Sequence, residues 1–170
     1  MSRYPVLVAA FVLAVGLVKP LKAVSPPSIA DIEAVIGTRG SRAALHTYFD
    51  CGVSGQPAYS QIAKGEKRWV GVAARLLPDA DGCFSVLLKD AIARSLSVNP
   101  EVALPLVGST SEFSPARICI PFLAEDYPAK QHLAYLAKLG AALESVRVET
   151  LQAAKNACLA EVKRVRGYLK

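Results

Sequence analysis

The stretch "GCFSVLLKDAIARSLSVNP", residues 82–100, contains the clearest helical pattern in this chain. From Phe84 onward its apolar side chains recur three or four positions apart, which places them on one face of an α-helix. They are Phe84, Leu87, Leu88, Ala91, Ile92 and Leu96. The pattern stops at Asn99-Pro100, because a residue that precedes proline disfavours the helical conformation. The stretch therefore predicts a long amphipathic helix.

Two aspartates lie just ahead of this helix, in "PDADG", residues 78–82. A calcium loop of the EF-hand type needs glycine at position 6 and glutamate at position 12. In either alignment with such a loop, an apolar residue, Phe84 or Leu88, occupies one of these positions. The segment instead predicts a helix end at the proline, followed by a helix cap in which Asp81 or Asp79 accepts hydrogen bonds from free N–H groups.

Apolar residues at helical spacing recur along the rest of the chain, with Gly and Pro between the segments. The other predicted helices cover residues 28–37, 41–50, 57–65, 66–77 and two segments after Pro128. The nearest approach to a strand, "RICIPF", is interrupted by Pro121. Residues 108–128 are predicted to be irregular. We therefore predict an all-α fold of about seven short helices that ends in a helical hairpin.

The N-terminal residues have the pattern of a secretory signal peptide. Arg3 precedes an apolar run at 6–18, which is too short for a membrane span of about 20 residues. We predict cleavage after Ala23, a single domain over 24–170, and a periplasmic or secreted protein. The bulky Leu21 leaves an uncleaved signal anchor as the alternative.

The predicted mature chain has a mild positive charge. The precursor carries +6, and residues 1–23 hold three of its 20 basic residues and none of its 14 acidic ones, which leaves +3. Nucleic-acid-binding proteins concentrate more positive charge than this on one face. We therefore expect no nucleic-acid partner. No stretch after residue 23 is apolar enough to span a membrane, so we expect no membrane span in the mature chain, and the oligomeric state stays open.

All four cysteines, Cys51, Cys83, Cys119 and Cys158, follow the predicted cleavage site, and an even number in an exported protein favours disulfides. Four cysteines allow three pairings. Cys158 lies on the predicted inner face of the last helix and Cys119 just before the hairpin, so we predict that these two pair. Cys51 and Cys83 are then left to pair with each other.

Candidate catalytic groups are few. His46 and Asp50 share a predicted helical face next to Cys51, but an adjacent cysteine points about 100° away on a helix. The two histidines lie far apart, no metal-binding spacing occurs, and the G-x-S-x-G motif of serine hydrolases is absent. We expect no catalytic, metal or cofactor residues, and an enzyme is the least favoured class.

The C-terminal helix ends in a basic cluster, whose members are Lys163, Arg164, Arg166 and Lys170. Such a cluster stabilises the helix C-terminus and is usually a solvated face. It is also the candidate partner-binding surface, suited to an acidic protein or an anionic envelope component.

Several short motifs between residues 58 and 162 resemble a set of small uncharacterised exported proteins of proteobacteria. The shared features are Gly65 followed by Trp69, the Asp79–Asp81 helix start, Asn99-Pro100, a Cys-x-Pro-Phe at 119–122 and a late Cys158-Leu159. The resemblance implies an all-α, exported, disulfide-tied protein and implies no activity.

Two functional classes follow from these observations. The first is a periplasmic binding protein that acts on another protein, such as an inhibitor or an immunity-type protein. The alternative is a structural or accessory component of the envelope that docks through its basic C-terminal helix.

Overall fold

The computed structural model describes residues 25–52, 56–121 and 128–169, and this part of the chain contains nine α-helices and no β-strand. The helices are α1 (Ile29–Arg39), α2 (Ser41–Tyr48), α3 (Gln56–Ala63), α4 (Lys67–Leu76), α5 (Gly82–Leu96), α6 (Pro100–Ala103), α7 (Pro115–Ile118), α8 (Ala129–Ser145) and α9 (Gln152–Tyr168). The all-α prediction is confirmed. The predicted signal peptide at 1–23 lies outside the described residues.

Helix α5, which contains the long predicted pattern, contacts α3, α4, α6, α7 and α8. Its apolar residues divide between two hydrophobic clusters. Leu88, Ala91 and Ile92 belong to the first cluster, whereas Leu96 belongs to the second. The α5 helix thus joins two parts of the core.

The first cluster lies among α1 to α5, with Phe113 and Ile118 from the region of α7. Its largest fully buried side chains include Ile32, Leu45, Phe49, Ile62 and Leu76. Helix α4 packs one face against this cluster along most of its length. Its buried residues recur at helical spacing and are Trp69, Val72, Ala73 and Leu76.

The second cluster forms where the C-terminal hairpin of α8 and α9 packs on the rest of the molecule. Leu136, Leu139 and Leu143 of α8 face Cys158 and Val162 of α9. On the α5 side, the Tyr135 hydroxyl of α8 donates a hydrogen bond of 3.1 Å to the carbonyl oxygen of Ala93. The predicted hairpin is confirmed.

A tight contact joins the turn between α3 and α4 to the end of α5. Gly65 has a φ of +73°, and a β-carbon there would lie 2.8 Å from the Asn99 Cβ. The Asn99 side-chain amide donates a hydrogen bond of 3.1 Å to the Gly65 carbonyl oxygen. Glycine is needed here for both its backbone conformation and its lack of a side chain.

Both predicted disulfides are present. Cys51 bonds to Cys83 with a Cα–Cα distance of 5.9 Å, and Cys119 bonds to Cys158 at 5.2 Å. Both distances fall within the range of about 4.4–6.8 Å that disulfides span. The first bond fastens the segment after α2 to the first turn of α5, and the second fastens the end of α7 to the middle of α9.

Some details of the predicted elements are wrong. Helix α1 continues through Gly37 to Arg39, and Gly40, with a φ of +84°, follows it. Asp81 occupies the N-cap position of α5, but its side chain makes no capping hydrogen bond. The stretch predicted to be irregular contains α7, a four-residue helix that begins with a proline and is too short to show apolar periodicity.

No helix in the described part of the chain is long and apolar enough to cross a membrane.

Candidate binding sites

The cysteine considered for catalysis is not a thiol in this structure. Cys51 is bonded to Cys83, and the Asp50 carboxylate accepts a hydrogen bond of 2.7 Å from the Gly52 amide. The His46 ring packs edge-on against Phe84, with the ring centroids 5.0 Å apart. The three side chains are therefore engaged in local structure. Across the described ranges, no three His, Cys, Asp or Glu side chains are grouped so that they could hold a metal ion.

The three described members of the predicted basic partner-binding cluster line two different clefts. Lys163 and Arg166 lie on the side of α9 that faces a groove along α8, whereas Arg164 lines a separate cleft on the other side of α9. Lys170 lies outside the described residues. The division follows from helical spacing, because residues three apart share a face and adjacent residues do not.

The hairpin groove runs between α8 and α9 and has a volume of about 740 Å³. Its lining residues are Leu133, Gly140 and Glu144 of α8 with Leu159, Val162, Lys163, Arg166 and Gly167 of α9. Leu133, which lines the groove, is 37% exposed. The groove therefore presents an apolar surface with two cations along its α9 side.

The second site is a cleft of about 450 Å³ among α5, α7, α8 and α9, here called the four-helix cleft. Its polar lining residues are Lys89, Asp90, Arg117, His132 and Arg164. Its apolar lining residues are Val86, Ala116, Ile120, Pro121 and Val165. A cleft of this size and mixed lining is typical of small-molecule sites, which span about 300–1,000 Å³.

One carboxylate at the edge of the four-helix cleft binds two cations. Lys89 Nζ lies 2.9 Å from Glu112 Oε2, and Arg117 Nη1 lies 2.9 Å from each oxygen of the same carboxylate. The hydrogen bond from Lys89, helped by the charges of both cations, lowers the pKa of Glu112. Glu112 is therefore ionised at neutral pH.

The other two charged groups of this cleft each have a partner. Asp90 accepts hydrogen bonds from Arg94, at 2.7 Å from Nε and 3.3 Å from Nη2. Arg164 lies 2.7 Å from Glu161, one turn earlier on α9. These two pairs join residues close in sequence, so they are expected from helical spacing.

Sequence reasoning missed the four-helix cleft as a site. Lys89, Arg117 and His132 come from three helices far apart in the chain, and no motif connects them. His132 lies in the first turn of α8, and its side chain is buried beside this cleft. Only the i, i+4 spacing of Asp90 and Arg94 was a readable signal.

Comparison of the chain with protein-family models, with curated proteins and with solved structures finds no match. The resemblance to small exported proteobacterial proteins therefore stays a prediction.

Proposed function

We propose that the protein is a small exported binding protein of the periplasm that acts on another protein, as an inhibitor or an immunity-type protein would. The observation that carries the proposal is the hairpin groove, whose apolar surface lies beside Lys163 and Arg166. Two disulfides support an oxidising compartment, since such bonds are rare in the cytosol.

The charges beside the groove favour an acidic partner. Among the described residues, neither Lys163 nor Arg166 forms an ion pair. Glu144 is the only acidic residue among the described residues that line the groove. An amphipathic segment with an apolar face and flanking Asp or Glu residues would match this surface in hydrophobicity and in charge.

The groove can be tested by photo-crosslinking in the native periplasm. A benzophenone amino acid at Leu133 should give an adduct with one discrete protein, because this side chain lies at the groove and is exposed. The same label at Val98, which is 55% exposed but does not line the groove, should give no such adduct.

Filling the groove should remove the adduct. Gly167→Trp places a large ring in the groove, since a β-carbon at Gly167 has no atom within 4 Å. Gly37→Trp is the matched control, because Gly37 is also an exposed helical glycine with open space around it. The adduct should be lost with Gly167→Trp and retained with Gly37→Trp.

Charge reversal tests the nature of the partner. The double substitution Lys163→Glu and Arg166→Glu should strongly reduce the yield of the adduct. The exposed control pair Arg42→Glu and Lys67→Glu should leave the yield unchanged. If no adduct forms at Leu133 and the protein sediments with membranes or peptidoglycan, the groove proposal is wrong. That result favours envelope docking through the basic C-terminal helix.

A further inference from the structure

We propose that the four-helix cleft binds a small organic monocarboxylate with an apolar body. This site is separate from the hairpin groove, because Arg164 and Val165 face the cleft while Lys163 and Arg166 face the groove. The inference is therefore independent of the proposed function.

The charge of the ligand is inferred to be negative from the numbers of positive and negative groups around Glu112. Lys89 and Arg117 both bind this one carboxylate, so two positive charges are matched by one negative charge. The side chain of Lys89 is only 19% exposed, which reduces the screening of its charge by water. A second carboxylate would supply the missing negative charge.

The remaining charges of the cleft do not change this balance. Asp90 is matched by Arg94, and Arg164 is matched by Glu161. These pairs contribute two positive and two negative charges, so the excess positive charge lies at Lys89 and Arg117. A cationic ligand that paired with Asp90 would have to displace Arg94, which donates two hydrogen bonds to the Asp90 carboxylate.

The apolar lining determines the rest of the ligand. Val86 is 43% exposed at the cleft, and Ile120, Pro121 and Val165 provide further apolar surface. Covering these side chains removes apolar area from water, which favours binding of a hydrocarbon body. A ligand with several carboxylates would gain less, because only one negative charge is missing at Lys89 and Arg117.

Octanoate is a suitable probe, with octanol as its uncharged analogue and octyltrimethylammonium as its cationic analogue. Titration calorimetry should show saturable 1:1 binding of octanoate and at least tenfold weaker binding of the other two, a loss of about the size expected for a charge-assisted hydrogen bond. Backbone amide chemical shifts should change at Ile120 and Val165 and not at Leu159 in the groove.

Two substitutions should change octanoate affinity in opposite directions. Arg117→Met removes one of the two cations and should weaken binding about tenfold. Glu112→Gln removes the carboxylate that competes for both cations and should strengthen binding, which a merely structural role of Glu112 would not produce. Arg75→Met is the matched control, because Arg75 pairs with Glu33 at 2.8 Å and has a similar exposure.

The outcomes separate the possibilities. The proposal is overturned if octanoate shows no saturable binding, if octanol binds as tightly as octanoate, or if octyltrimethylammonium binds more tightly. It is also overturned if Glu112→Gln leaves octanoate affinity unchanged or lowers it. Gly167→Trp should leave octanoate binding unchanged, so failure of the groove proposal and failure of this one are distinguishable.

Discussion

The two disulfides join similar lengths of chain in opposite surroundings. Cys119 and Cys158 are fully buried within the second hydrophobic cluster, whereas Cys51 and Cys83 are exposed beside the first. The sequence separations are 39 and 32 residues, so the chain-entropy contributions differ by only about 0.2 kcal/mol. Any larger difference in stabilisation must come from packing.

This contrast reflects how the two hydrophobic clusters are built. The first cluster is formed by side chains of α1 to α5 together with Phe113 and Ile118, and it does not include the cysteines of its neighbouring disulfide. The second cluster includes Cys119 and Cys158 among its buried residues. The hairpin therefore depends on its disulfide for packing as well as for chain closure.

The largest expected effect is loss of the buried disulfide. Replacing Cys119 and Cys158 by alanine should reduce the free energy of unfolding by about 5 kcal/mol, since about 4 kcal/mol of loop closure is lost together with buried packing. Replacing Cys51 and Cys83 should cost less, about 3–4 kcal/mol. Urea unfolding of both double variants measures the difference, and equal losses or the reverse order would contradict this comparison.

The next largest effect is expected at Gly65, where the turn between α3 and α4 contacts the end of α5. Gly65→Ala should cost about 3 kcal/mol, because the new methyl group meets Asn99 at 2.8 Å and alanine disfavours a positive φ. Gly108→Ala is the control, since Gly108 has a φ of +80° with open space around it, and should cost about 1 kcal/mol. Similar losses in thermal unfolding would show that the Asn99 contact is unimportant.

A smaller effect separates Tyr59, which is buried in the first cluster, from Tyr135, which is partly buried against the second. Tyr135→Phe removes the hydrogen bond to the Ala93 carbonyl oxygen and should cost about 1 kcal/mol. The buried Tyr59 hydroxyl makes no hydrogen bond with any described residue, so Tyr59→Phe should be neutral or slightly stabilising. Urea unfolding at pH 7 checks both, and a larger loss for Tyr59→Phe would reverse the assignment.

The smallest effect appears at alkaline pH. Burial raises the pKa of Tyr135 to about 12, above the value of about 10 in the unfolded chain. The folded state then holds this proton more tightly, so its stabilisation is complete below pH 10 and is lost as the pH rises towards 12. Tyr135 should contribute a fall of about 0.4 kcal/mol in the free energy of unfolding between pH 8 and pH 10, and Tyr135→Phe should remove this contribution.

Most of the fold was predictable because its determinants are local or geometric. The face of α5 follows from the spacing of its apolar residues, and the hairpin follows from two long patterns in succession. The predicted pairing of Cys119, which precedes the hairpin, with Cys158 on its second helix is confirmed. Helix α7 was missed because four residues are too few for a periodic signal.

The candidate sites were much less predictable. Among the described members of the predicted basic cluster, Lys163 and Arg166 line the hairpin groove. Arg164 lines the four-helix cleft and is paired with Glu161. Glu112 forms ion pairs with Lys89 of α5 and Arg117 of α7. These three side chains come together only because α5 packs against α7. Charge patterning along the chain contains no information on such a contact.

By itself, the sequence determined the all-α class, the helical hairpin and the number of cysteines available for pairing, because helical periodicity and chain geometry act over short distances. Only the tertiary structure decided that one disulfide is buried and the other exposed, and that two cations share Glu112 at the edge of a cleft. The physical reason is that burial and charge balance depend on which helices pack together, and that choice is made by the whole core at once.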